Sequence, residues 1–116
     1  MKRIIIHWTA GGYYPTTAEK EVYHFLVDKD GKVYNGKFAP ENNLKCVKGC
    51  YAAHTGGGNT ASIGVAICAM AGFKNKNSCG AYPIKPMQFE AAMKLCADLA
   101  LKYKIPVSAS TVMTHY

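Results

Sequence analysis

Apolar residues along this chain gather into short continuous runs, separated by polar and glycine-rich stretches, with one longer stripe near the end. Residues 3–8 are continuous and rich in β-branched side chains, which predicts a buried strand. Gly11 to Pro15 reads as loop. Thr16 and Glu19 have capping-box spacing and predict a short helical turn. Val22 to Val27 predicts a second strand. Asp28-Lys29-Asp30-Gly31 is a turn whose glycine can take positive φ, and Lys32 to Tyr34 returns to complete a hairpin. Residues 35–50 are polar and irregular.

A glycine loop, Gly56-Gly57-Gly58-Asn59, feeds a central strand from Ser62 to Ala69. Gly64 inside that strand signals a bulge or a close backbone approach. After a second loop over 72–83, Phe89, Ala92, Met93, Cys96, Leu99 and Ala100 recur at three and four residues. They predict a helix from Lys85 to Tyr103. Pro86 suits its first turn and Pro106 blocks its continuation. A last strand is expected from Ser110 to His115. The predicted fold is an α/β single domain, with a central mixed sheet of about five strands flanked by helices.

At 116 residues the chain is long enough for one core, so residues 1–116 are read as one domain. With 49% apolar and 18% charged residues it is globular rather than disordered. No apolar run reaches the roughly 18–20 residues of a membrane span, so no membrane insertion is expected. Met1-Lys2-Arg3 is followed by three isoleucines only, which is no secretory signal, and a cytoplasmic chain is expected. Five cysteines at irregular spacing make a poor disulfide framework. Cys68 and Cys96 read as small buried apolar residues. The net charge of +7 is spread along the chain. It suits an anionic polymer such as a bacterial cell wall, or simply a solvated lysine-rich surface. No basic block or nucleic-acid motif is present, so no nucleic-acid partner is expected.

The candidate chemistry begins with two histidines. His7 sits in the run Ile4-Ile5-Ile6-His7-Trp8-Thr9, and His115 closes Ser110-Thr111-Val112-Met113-Thr114-His115. Apolar strands have little structural need of an imidazole. Two such strands side by side would set two neutral nitrogen ligands at one sheet edge, as catalytic zinc sites do.

These residues belong to a longer pattern. His7-Trp8-Thr9-Ala10 is followed by Tyr23-His24-Phe25, Asp30-Gly31-Lys32-Val33, Ala53-His54-Thr55, Asn59, Ser62-Ile63-Gly64-Val65 and Thr114-His115. In this order the chain resembles the zinc-dependent N-acetylmuramoyl-L-alanine amidases, a family that includes phage endolysins and is related to the peptidoglycan recognition proteins. The resemblance spans nearly the whole chain. It implies Zn2+ as cofactor, His7 and His115 as metal ligands, and Tyr23 as the catalytic tyrosine. It implies peptidoglycan as partner, with Trp8, His54 and Asn59 as substrate contacts. A chain of this kind would act as a phage or prophage endolysin, cytoplasmic until lysis and then acting on the wall.

His24 follows Tyr23 directly. In a continuous strand it would face the other way and be a structural histidine. His54 reads either as a contact beside the metal or as an exposed loop residue. The aromatic residues Tyr13, Tyr14, Tyr51 and Tyr82 lie in or near loops.

The family pattern also calls for a third ligand, an aspartate or cysteine beyond the second histidine, and this sequence ends at Tyr116. The resemblance therefore implies an amidase domain truncated at its C-terminus, or a substitute ligand within the chain. Cys46, Cys50 and His54 are spaced by four, yet Gly49 and Asn42-Asn43 argue against a helix there. A muropeptide-binding module without catalysis stands as the alternative function.

Overall fold

The computed structural model describes residues 1–55, 59–72, 80–108 and 110–114. Its strands are β1 (Arg3–Trp8), β2 (Phe25–Val27), β3 (Val33–Asn35), β4 (Ser62–Ile67) and β5 (Val112–Thr114). Its helices are α1 (Thr17–Val22) and α2 (Pro86–Lys102), with a 3-10 turn at Pro40–Asn43. They form one five-stranded sheet in the order β3-β2-β4-β1-β5. β2, β4, β1 and β5 run parallel, and β3 alone is antiparallel, paired with β2 as a hairpin. This is the mixed-sheet α/β domain that the hydrophobic pattern predicts. The radius of gyration, 13.4 Å, is that of a compact chain of this length.

The register places β4 at the centre. All six of its residues are buried, because strands cover both its edges and other segments cover both its faces. Ile4, Ile63 and Val65 face α2 and pack on Cys96, Leu99, Ala100 and Ile105. Val27, Ile67, Ala69 and Met70 extend this layer to Ala92. Each large aliphatic side chain removed from water here contributes roughly 2 kcal/mol. On the opposite face, Leu26, Ala66 and Cys68 pack with Tyr23 and Tyr34. Among the described residues no helix is long and apolar enough to cross a membrane.

Three local readings change. The expected strand Val22–Val27 starts only at Phe25, because the capping box at Thr16 and Glu19 is fully made and carries α1 through Val22. Tyr23 closes that helix, its N–H donating to the Glu19 carbonyl. The last strand starts later than expected, since residues before Val112 turn back on Ser108 through the Thr111 and Val112 N–H groups. On α2, Phe89 is exposed while polar Gln88 is fully buried. The Gln88 amide donates to the Cys68 carbonyl at 2.9 Å and its Oε1 accepts from Lys85 N–H at 2.9 Å. Those bonds offset the cost of burying an amide and pin the start of α2 to the end of β4.

Candidate functional site

Alternation along β1 decides where His7 points. Ile4 and Ile6 pack toward α2, so Ile5 and His7 face the other side of the sheet. There His7 is buried and its Nε2 lies 3.0 Å from Nδ1 of His54, 47 residues away. The Tyr23 ring stands on another side of His7, with centroids 5.2 Å apart. His24 stacks edge-on against His54 at 5.4 Å. Tyr23 and His24 thus serve the same cluster, where a continuous strand would have sent them to opposite faces. The end of α1 intervenes, and the alternation starts only with β2.

His54 is buried, which rules out the exposed-loop reading. Its Nε2 lies 3.3 Å from the Ser62 carbonyl, and its ring covers Gly64. A Cβ at position 64 would stand 2.5 Å from His54 Cγ, so the glycine is a close-approach site. It is not a bulge, since the β1–β4 register runs through it unbroken.

A polar chain behind the cluster holds the segment that carries His54. The Gly64 N–H donates to His24 Nδ1 at 2.9 Å, so the His24 proton sits on Nε2 and donates to Asn43 Oδ1 at 2.9 Å. Asn43, fully buried, also accepts from Ala52 N–H and donates to the Ala52 and Asn59 carbonyls. Asn59 Oδ1 accepts from Thr55 N–H at 2.9 Å. Sequence reasoning missed Asn43; an asparagine in a polar loop carries no signal of burial. Burial lowers the pKa of His24, partly offset by its bond to Asn43 and by Glu41.

The family model for N-acetylmuramoyl-L-alanine amidase matches residues 1–116. This chain belongs to the N-acetylmuramoyl-L-alanine amidase family. No curated protein matches it. Among solved structures it is similar to the N-acetylmuramoyl-L-alanine amidase LysC from Clostridium intestinale URNW, with 20% identity and a TM-score of 0.64 over 98% of this chain and 69% of that one. The Ph2119 endolysin from the Thermus scotoductus MAT2119 bacteriophage Ph2119 gives 19% and 0.61, over 97% and 70%. Drosophila peptidoglycan recognition protein SD gives 20% and 0.65, over 99% and 69%. At these identities the likeness is one of fold.

In this amidase-family chain Tyr23 is half-buried, and its pKa is raised by burial first, then by Glu19 and Cys68. Its hydroxyl therefore keeps its proton at neutral pH. Trp8 is half-buried beside an apolar cavity of about 180 Å³ that His7, Ile6, Ile67, Ile84, Phe89 and Thr114 also line. His115 lies outside the described residues. β5 is described as far as Thr114, which pairs with Ile6, the neighbour of His7. Cys46 contacts the Asn43 carbonyl and the Thr60 hydroxyl, and Cys50 is exposed. Among the described residues no three of His, Cys, Asp and Glu are grouped to hold a metal.

Proposed function

We propose that this chain is a zinc-dependent peptidoglycan hydrolase of the endolysin type. It cleaves the amide between the lactyl carbonyl of N-acetylmuramic acid and the amine of the first L-alanine of the stem peptide. The observation that carries this reading is the cluster of buried His7 and His54 with half-buried Tyr23 on one sheet face, in a chain whose residues 1–116 match the amidase family.

The donor chemistry fits zinc. His7 offers an imidazole inside a desolvated cluster, and His54 cannot be a second ligand without giving up its bonds to His7 and Ser62. We assign His7 and His115 as the ligands, following the strand pairing that brings the end of β5 beside β1. A zinc ion there supplies a strong nucleophile at neutral pH and polarises the scissile carbonyl.

The chain's own residues do the rest. Tyr23 holds its proton and donates it as a hydrogen bond to the carbonyl oxygen as negative charge builds on it. Trp8 and the apolar cavity beside it lie on the α2 side of the sheet and meet the site only at His7, which also lines that cavity; there they would border the substrate groove. Thr55 and Asn59, bonded to each other and braced by Asn43, form part of another wall. The excess of lysine over acidic residues favours approach to an anionic wall.

Mass spectrometry of products from purified peptidoglycan tests this. Stem peptides with a free alanine amino end, formed with zinc and absent with chelator or in His7→Ala, are the expected result. Intact peptidoglycan under every condition would sink the hydrolase reading. The fold likeness to a peptidoglycan recognition protein favours one second reading, a muropeptide-binding module. That reading predicts chelator-insensitive binding of muropeptide with no product.

A further inference from the structure

We infer that His54 is a positioning residue that locks His7 in its Nε2-protonated form, so that His7 offers its Nδ1 lone pair to the metal. This rests on the reading of His7 as a zinc ligand and adds to it a specific atom and a specific cause.

Donor and acceptor chemistry fixes where the protons sit. A backbone carbonyl can only accept, so the 3.3 Å contact between Ser62 O and His54 Nε2 requires the proton on that nitrogen. A neutral His54 then has its lone pair on Nδ1. At 3.0 Å from it stands His7 Nε2, which must donate. The His7 lone pair is consequently on Nδ1. A metal-binding imidazole whose other nitrogen donates to a fixed acceptor gains both orientation and basicity. Carboxylates and carbonyls usually serve; here the acceptor is a second imidazole.

The acceptor is held on every side the structure describes. Ser62 and Gly64 are neighbouring positions on the same face of the central strand. Ser62 fixes the His54 proton and Gly64 makes room for its ring. Asn43 clamps Ala52 and Asn59, which bracket His54 in sequence. His24, itself fixed by Gly64 N–H, backs the ring edge-on. Nothing in this arrangement leaves His54 a nitrogen with which to read substrate while these two bonds stand.

The test has two arms. In the metal-free 15N-labelled wild-type chain, long-range proton–nitrogen correlation spectra report which imidazole nitrogen carries the proton. The expected result is Nε2–H for both His7 and His54. A His7 protonated on Nδ1 overturns the inference, with no variant needed. In the second arm, zinc affinity is measured by chelator competition. His54→Leu should weaken binding about 10- to 100-fold. His54→Asn, which keeps an acceptor oxygen close to the place of Nδ1, should recover most of the loss. A folded His54→Leu chain with unchanged zinc affinity overturns the inference. A wild-type chain that binds no zinc overturns the proposed metal site instead, and the tautomer spectra still decide the hydrogen-bond claim.

Discussion

Gly64 lies directly against the His54 ring: a methyl group at position 64 would stand 2.5 Å from His54 Cγ and 2.8 Å from Cδ2. Real Cβ contacts are essentially never so short, so in Gly64→Ala the imidazole or the strand must shift. The substitution is expected to cost about 1–3 kcal/mol in stability through overpacking. It should also depress peptidoglycan hydrolysis well beyond what the stability loss explains. Denaturant unfolding and product release, measured on the same preparation, check both. Full activity in Gly64→Ala would show that the placement of His54 is irrelevant.

Tyr23→Phe removes one hydroxyl and leaves the ring that packs on His7 and the Leu26 cluster. The expected outcome is a loss of about 10²–10³ in kcat, the usual effect of deleting one oxyanion donor. The thermal midpoint should stay close to that of the wild type. Because the Tyr23 pKa lies above its ordinary 10.0, no alkaline break in the rate below pH 10 should trace to this residue. A rate profile from pH 6 to 10, run on both proteins, tests the assignment.

Among the described residues the Asn43 side chain makes four hydrogen bonds, to His24, to both backbone groups of Ala52 and to Asn59, and it is fully buried. Asn43→Ala strands several buried partners at once. Leaving one such group unpaired costs about 1–3 kcal/mol, so a total of at least about 3 kcal/mol is expected. Equilibrium urea unfolding measures it; a change below about 1 kcal/mol would mean that the clamp is not formed in solution.

Acid should destabilise the fold through His24. Its folded pKa is lowered from 6.5, chiefly by burial, and its Nδ1 accepts from Gly64 N–H. Below pH 6.5 the unfolded chain takes up a proton that the folded chain resists. Stability therefore falls as pH drops through 6.5 toward the folded value, and is indifferent to this group above it. Urea midpoints at pH 7.5 and 5 should differ in the wild type and differ less in His24→Gln.

The buried thiols act at the other end of the scale. Burial pushes Cys68 from 9.0 to about 12 and Cys96 from 9.0 to about 11. Above pH 9 the unfolded chain loses these protons first, so stability declines as pH rises through 9 toward 11 and 12. At pH 8 an alkylating reagent should label exposed Cys50 in the native state and reach Cys68 and Cys96 only on unfolding. Rapid native labelling of Cys68 would contradict its placement.

Short-range chemistry is legible along the chain without the fold. The isoleucine run made β1, the Thr16–Glu19 box started α1, and the stripe from Ala92 to Ala100 made the buried face of α2. The order of motifs from His7 to His115 was enough to place the chain in the amidase family, and Gly64 was legible as either a bulge or a close approach, of which the fold realises the second. Each of these signals spans a few residues or a fixed order along the chain.

Which side chains meet depends on long-range packing. His7 and His54 are 47 residues apart, and their 3.0 Å contact depends on the register of β1 with β4. The common side of Tyr23 and His24 follows from where α1 stops and β2 starts, three residues later than the strand start predicted at Val22. Gln88 and Asn43 look like surface residues in sequence, and both are fully buried because neighbouring carbonyls and N–H groups satisfy their amides. Periodicity reports only whether a position is apolar. The partners that make a polar residue worth burying come from strands and loops far along the chain, and they exist only once the sheet has assembled.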